Sequence, residues 1–170
     1  NKCFNKLYSI RLKNNITLYL EKGSVLRQSE DFRDYDYNFE LGHNSIAFSH
    51  INWSHCNVVS NYPMILASDV KNVKVLGGGT IVMSDADNYG DDIITQAGAL
   101  EHLYSVCSHR LHSMPIGMYN CKNVEISDLK IHKSSGYHIC VTFCENMTIY
   151  DVEMARVKCA SSDGISLGGA

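Results

Sequence analysis

Two side chains near the end of this chain, Tyr137 and Asp163, could together bind a sugar and act on it. The face of an aromatic ring packs well on the apolar hydrogens of a sugar, and a carboxylate can exchange a proton with a reacting group. Tyr137 lies two residues before Ile139, and Asp163 lies two residues before Ile165. If those isoleucines stack, the ring and the carboxylate lie on one edge of the fold.

Both residues also have a purely structural interpretation. Asp163 precedes Gly164, and an Asp in that position often closes a turn through its own side chain. Tyr137 can pack on the wall of the fold without touching any substrate. The sequence by itself leaves both interpretations open.

The elements that would position these two residues are repeated along the chain. Residues 115–131 overlay on residues 138–154 without a gap, 23 positions apart, and every Ile, Leu, Met or Val position matches one of the same four residue types. Cys and Asn match themselves in this overlay. In a strand-rich chain such a period predicts a solenoid, in which each coil of short strands stacks on the one before.

This solenoid is predicted to be all-β, with parallel strands and rungs about 4.8 Å apart. Chain length predicts about seven coils in one domain, residues 1–170. In the predicted register, Ile116, Ile139 and Ile165 form one inward column, and Cys121 lies over Cys144. The alternative is an accidental duplication within an ordinary β-sandwich.

Two excursions, about 29–61 and 84–113, interrupt the period. Weaker copies of the repeated element precede them, at Asn15 and at Asn72, and the distance from Asn72 to Asn123 predicts about two coils plus a loop. Loops on a solenoid gather on particular sides of the rod, where they can wall a groove.

The matching Asn and Cys residues have structural explanations. Asn tolerates a left-handed backbone at a turn, and successive Asn side chains can stack amide on amide. Cys121 and Cys144 are expected to form a small apolar ladder within the wall, with a disulfide as the less favoured alternative. Seven cysteines, an odd number, favour a reducing compartment or an anaerobic source.

Composition excludes several partners. A net charge of −3 gives no electrostatic reason to expect nucleic acid, and no apolar run reaches membrane-spanning length. The eight histidines lack metal-ligand spacing, so no metal and no cofactor is predicted. Asp91 and Asp92 are interpreted as a solvated loop, with a substrate or calcium contact as the alternative.

Five segments, taken in order, resemble glycoside hydrolase family 28, the polygalacturonases and their relatives. They cover its opening coil, its Gly-x-Gly-x-Ile stretch, its Pro-led rung with Cys-x-Asn-Val, and the places where it has Trp-x-Ile-His and Asn-Thr-Asp-Gly-Ile-Asp. In this chain the segments are residues 10–26, 72–81, 115–131, 137–140 and 161–166.

The resemblance implies a right-handed parallel β-helix that hydrolyses α-linked galacturonic acid, or a related pectic sugar, with inversion. The substrate would be a polysaccharide or an oligosaccharide from the plant cell wall. By the same resemblance Asp163 is a catalytic carboxylate, and we expect Tyr137 beside it to bind substrate. Proteins of this family are usually secreted or periplasmic, which contrasts with the odd cysteine count.

The chain also departs from the family pattern. Ser161, Ser162 and Ser166 replace the family's Asn, Thr and second Asp, which leaves the sugar open. The family's Asp pair, Gly-His-Gly and Arg-x-Lys have no counterpart, so we expect an N-terminal portion that is inactive alone and exposes an apolar end near residue 170. Two alternative functions use the same scaffold. One is a non-catalytic β-helix that binds carbohydrate or acts as an adhesin.

The other is a lyase, which would need carboxylates that bind calcium and a basic residue on one face, and the sequence does not offer these. The oligomeric state is not predicted.

Overall fold

The computed structural model describes residues 9–29, 63–83, 114–134, 137–155 and 164–168. All regular elements in these ranges are strands, so the described residues include no helix that could cross a membrane. The strands are β1 Ile10–Arg11, β2 Thr17–Tyr19, β3 Val25–Arg27, β4 Ile65–Ser68, β5 Lys71–Leu76, β6 Thr80–Val82, β7 Ile116–Tyr119, β8 Lys122–His132, β9 Ile139–Thr142, β10 Glu145–Ala155 and β11 Ile165–Gly168.

The strands form two sheets, named here sheet A and sheet B, in which every pairing is parallel. Sheet A has the order β1-β4-β7-β9-β11. Sheet B has the order β2-β5-β8-β6-β3, and β10 pairs with β8. β8 pairs with β5 along its first part and with β6 along its second part. Each coil therefore passes through one strand of sheet A and then along sheet B, as in a parallel β-helix.

The described residues form four rungs and the first strand of a fifth, fewer than the seven suggested by chain length. The difference arises because β4 pairs directly with both β1 and β7, which leaves no room for a rung between them. The distance from Asn72 to Asn123 is likewise one coil plus an excursion, not two coils, since β5 pairs directly with β8.

A column of isoleucines runs through the interior side of sheet A. Ile10 pairs with Ile65, Ile65 with Ile116, Ile116 with Ile139, and Ile139 with Ile165. The three central members are fully buried. Alternate residues of a strand point to opposite faces, so in-register parallel pairing places like side chains on top of one another. The predicted column of three is confirmed, and two earlier rungs extend it.

The turn between sheet A and sheet B carries an asparagine ladder. Asn15, Asn72, Asn123 and Asn146 adopt left-handed backbones, with φ of 61°, 57°, 57° and 51°. The side-chain amides of the last three each donate to the amide oxygen one rung earlier, over 2.7, 2.9 and 3.1 Å. The stacking of amides predicted for these residues is confirmed.

Ion pairs join neighbouring rungs across the outer face of sheet B. Lys74 contacts Glu125 over 2.6 Å, Lys122 contacts Glu145 over 2.9 Å, and Lys130 contacts Glu153 over 3.1 Å. All of these side chains except Glu125 are more than half exposed, so each pair adds little to the free energy of unfolding. The ion pairs favour the observed register, because a shifted register would separate the opposite charges.

The apolar interior is less protected at the last described rung. Ile165 is 42% exposed and Leu167 is 70% exposed, although both occupy inward positions of sheet A. The inward side chains of β10 are only half-buried. Apolar side chains along an unpaired strand edge favour association with other chains.

Candidate functional site

The longer connections of the fold all enter sheet A at the same corner. The links from β3 to β4, from β6 to β7, from β8 to β9 and from β10 to β11 each run from the end of sheet B to the start of a sheet A strand. The excursions 29–61 and 84–113 belong to the first two links, and their residues lie outside the described ranges, apart from Ser29. Insertions at one corner of a solenoid are the usual place for a binding groove, so the adjoining outer face of sheet A is the candidate site.

This outer face carries an apolar cluster of its own, separate from the interior. Leu66 and Cys140, which alternate with inward residues on β4 and β9, are 4% and 0% exposed. They pack with Met114, and Tyr119 and Tyr137 pack against this outer cluster. The outer face is therefore a well-packed surface from the residues that precede the strands to the last residue of β7.

Tyr137 is half-buried against the outer cluster. Its counterpart one rung earlier is Met114, since each lies two residues before a paired isoleucine of the column. This packing matches the structural interpretation of Tyr137, and it leaves part of the side chain accessible. The expected role in substrate binding stays a prediction.

Asp163 lies outside the described residues, so its catalytic role stays a prediction as well. In sequence it is equivalent to Met114 and Tyr137, because each of the three lies two residues before an isoleucine and Ile165 pairs with Ile139. The nearest described residue is Gly164, whose carbonyl oxygen accepts hydrogen bonds from the backbone N–H groups of His138 and Ile139, both over 3.1 Å.

An aromatic pair at the carboxyl end of sheet A was not anticipated from the sequence. Tyr119 and Phe143 pack edge to face, with ring centroids 5.9 Å apart and planes at 81°. Phe143 is 45% exposed. Aromatic side chains thus flank both ends of the outer face, with Tyr137 at the amino end. The sequence overlay does not predict this pair, because it aligns Tyr119 with Thr142 and Phe143 with Asn120.

A polar contact beside the aromatic pair was also not anticipated. Asp69 accepts hydrogen bonds from the Asn120 side-chain amide over 2.6 Å and from the Ser68 hydroxyl over 2.8 Å. These bonds, that from Asn120 above all, lower the pKa of Asp69. The carboxylate is exposed and held at the turn, so it is suited to stabilising the turn and not to proton transfer near neutral pH.

Carboxylates are absent from the outer face of sheet A as far as the described ranges extend. The sequence overlay also matches Asp128 with Asp151, but these lie at the bends of β8 and β10, with φ of 51° and 49°. Asp occupies left-handed turns readily, and this accounts for both. Asp91 and Asp92 lie outside the described residues.

No metal site is found among the described residues, where no three His, Cys, Asp or Glu side chains come together. Of the histidines within those ranges, His132 places Nε2 3.2 Å from a carboxylate oxygen of Glu153, and His138 is buried beside Tyr137.

Comparison with solved structures gives two similar proteins. One is a hyperthermoactive exopolygalacturonase from Thermotoga maritima, with a TM-score of 0.62 and 19% identity over 92% of this chain and 38% of the enzyme. The other is a presumed glycosyl hydrolase from Parabacteroides merdae, with a TM-score of 0.50 and 18% identity over 95% of this chain and 75% of that chain.

These likenesses confirm the fold class predicted from the sequence, a right-handed parallel β-helix. The chain spans less than half the length of the Thermotoga enzyme. No family model and no curated protein sequence matches the chain. The comparisons therefore define the fold, which is shared with glycosyl hydrolases.

Proposed function

We propose that this chain is part of a glycoside hydrolase that cleaves α-linked galacturonic acid, or a related pectic sugar, in a polysaccharide or oligosaccharide. The observation that carries the proposal is the register of sheet A, in which Ile165 pairs with Ile139. Because Tyr137 and Asp163 each lie two residues before these paired isoleucines, that register makes their sequence positions equivalent on successive rungs. Likeness in fold to an exopolygalacturonase supports the same substrate class.

Tyr137 is the proposed contact for the sugar ring. Its side chain is supported from below by the outer cluster, which holds the ring in place while part of it stays accessible. A fixed aromatic surface loses little conformational freedom when a sugar packs on it. The exposed Phe143 at the other end of the face offers a second apolar contact for a longer substrate.

Asp163 is the proposed catalytic carboxylate. Inverting hydrolysis uses one carboxylic acid to protonate the leaving oxygen and a second carboxylate, about 6.5–9.5 Å away, to activate water on the opposite face of the sugar. Adjacent rungs repeat at about 4.8 Å, so a second carboxylate stacked directly one rung away would be too close. A carboxylate displaced along the next rung, or one two rungs away at about 9.6 Å, would come near this requirement. The partner has to come from outside the described residues, in which the outer face carries no acid.

The same lack of a carboxylate on the described part of the outer face favours a second candidate function. A β-helix that binds pectic polysaccharide without cleaving it needs the aromatic residues of this face and no acid pair. Tyr137, Tyr119 and Phe143 would supply the aromatic contacts for such binding.

An assay of substrate range separates the two functions. The product of the complete gene that contains residues 1–170 is incubated with polygalacturonate and with starch, an α-linked polymer of a neutral sugar. We expect reducing ends to be released from polygalacturonate at least about tenfold faster than from starch, a modest ratio for sites that recognise a charged group. Retention of the protein on immobilised polygalacturonate without any release of reducing ends would support the binding module and contradict the hydrolase.

A further inference from the structure

Cys121 and Cys144 occupy equivalent positions on adjacent rungs, immediately before β8 and β10. The next residues, Lys122 and Glu145, are directly paired. Neighbouring positions on parallel strands are about 4.8 Å apart, within the range of Cα separations that a disulfide spans. The stacking predicted for these two cysteines is confirmed, and both are free thiols.

The contacts around the two sulfur atoms bring them together. The backbone N–H of Cys121 donates to the sulfur of Cys144 over 3.4 Å. Each thiol also donates to the carbonyl oxygen two residues earlier, that of Tyr119 over 3.1 Å and that of Thr142 over 3.5 Å. The two side chains therefore leave the turn in the same direction.

The two thiols differ in accessibility and in acidity. Cys121 is 2% exposed, whereas Cys144 is half-buried. A hydrogen bond between the two side chains raises the pKa of Cys121 and lowers that of Cys144 to about 7, with the N–H of Cys121 adding to the effect on Cys144. Cys144 is thus the more accessible thiol and the one with more thiolate near neutral pH.

We propose that Cys121 and Cys144 are a thiol modification site, at which a small disulfide of the glutathione class closes a bond between two rungs of the β-helix. The Cys144 thiolate attacks one sulfur of the small disulfide, and one glutathione leaves as a thiolate. Cys121 then gives up its proton and attacks the Cys144 sulfur, and the second glutathione leaves. The two protein thiols are oxidised, and the small disulfide takes both electrons and both protons as two thiols.

The bond would fix the turn beside Asn123 and Asn146 and close a loop of 23 residues. Cross-links over loops of this size restrict the unfolded chain, and we expect the melting temperature to rise on the order of 5–10 °C. Cys140 lies in the outer cluster, and burial raises the pKa of its thiol to about 12. It therefore serves as an internal control.

The test uses the whole chain, treated with oxidised glutathione and then with an alkylating agent. We expect a cross-linked peptide that contains Cys121 and Cys144, both without alkyl groups, with a mass two hydrogen atoms below the sum of the two reduced peptides. The melting temperature should rise with this bond and return to its starting value after reduction. The Cys140→Ser variant should form the same bond. The Cys121→Ser variant should stop at a mixed disulfide of glutathione with Cys144.

Peptide mapping of the unmutated chain keeps the proposal open to refutation even if a variant fails to fold. Alkylation of both Cys121 and Cys144 after the oxidising treatment would overturn it. So would a cross-link that joins either cysteine to Cys140 instead.

Discussion

Replacement of Asp163 by Asn in the product of the complete gene is expected to lower turnover on polygalacturonate by two or more orders of magnitude. Asn keeps the size and turn-forming ability of Asp but cannot donate or accept the proton that general acid–base catalysis requires, and such groups contribute about 10²–10⁴-fold. The melting temperature should change little. Initial rates and thermal unfolding of both proteins provide the measurement.

The matched control for Asp163→Asn is Asp151→Asn. Asp151 lies at the exposed bend of β10 with a φ of 49°, a conformation that Asn also adopts, and β10 belongs to sheet B and not to the outer face of sheet A. We expect this variant to keep its turnover. Normal turnover together with a large fall in melting temperature in Asp163→Asn would identify Asp163 as a structural turn residue and favour the binding module.

Replacement of Ile116 by Ala is expected to lower the free energy of unfolding by about 2–5 kcal/mol, a large part of the 5–15 kcal/mol typical of a domain. Ile116 is fully buried in the middle of the isoleucine column, between Ile65 and Ile139, which are themselves fully buried. Its removal leaves a cavity that neighbouring rungs cannot fill without losing register. Denaturant unfolding of the whole chain measures the loss.

Ile165 supplies a matched control, because it belongs to the same column but is 42% exposed at the last described rung. Ile165→Ala removes the same groups from a position that water already reaches, so we expect a loss of about 1 kcal/mol or less. Equal losses from the two variants would contradict the difference in burial between the middle of the column and its last described member.

The register could be predicted from sequence because two neighbouring coils match without a gap. In such an overlay, residues at equal positions must stack, as Cys121 over Cys144 and Asn123 over Asn146 do. The number of rungs could not be predicted in this way. In the sequence, a long loop between two coils looks the same as an extra coil with an irregular repeat. The direct pairing of β4 with β1 and β7 shows that the segments between these strands are excursions and not rungs.

The candidate site was predictable only in part. The spacing of Tyr137 from Ile139 indicated its position on the edge of sheet A, but not the outer cluster on which it packs. That cluster forms from residues far apart in sequence, and no local pattern marks it. The contact between Tyr119 and Phe143 was missed because a turn changes which residue types face each other on successive rungs.

The measurement that tests the central claim most directly is a proton NMR time course of polygalacturonate with the product of the complete gene. Inverting hydrolysis of an α-linkage releases the β-anomer first, and mutarotation produces the α-anomer only later. We expect the β-anomer of a galacturonate reducing end in the earliest spectra. Three results would each contradict the account. Release of the α-anomer first would indicate a retaining enzyme, an unsaturated uronide would indicate a lyase, and an unchanged polymer would indicate a binding module.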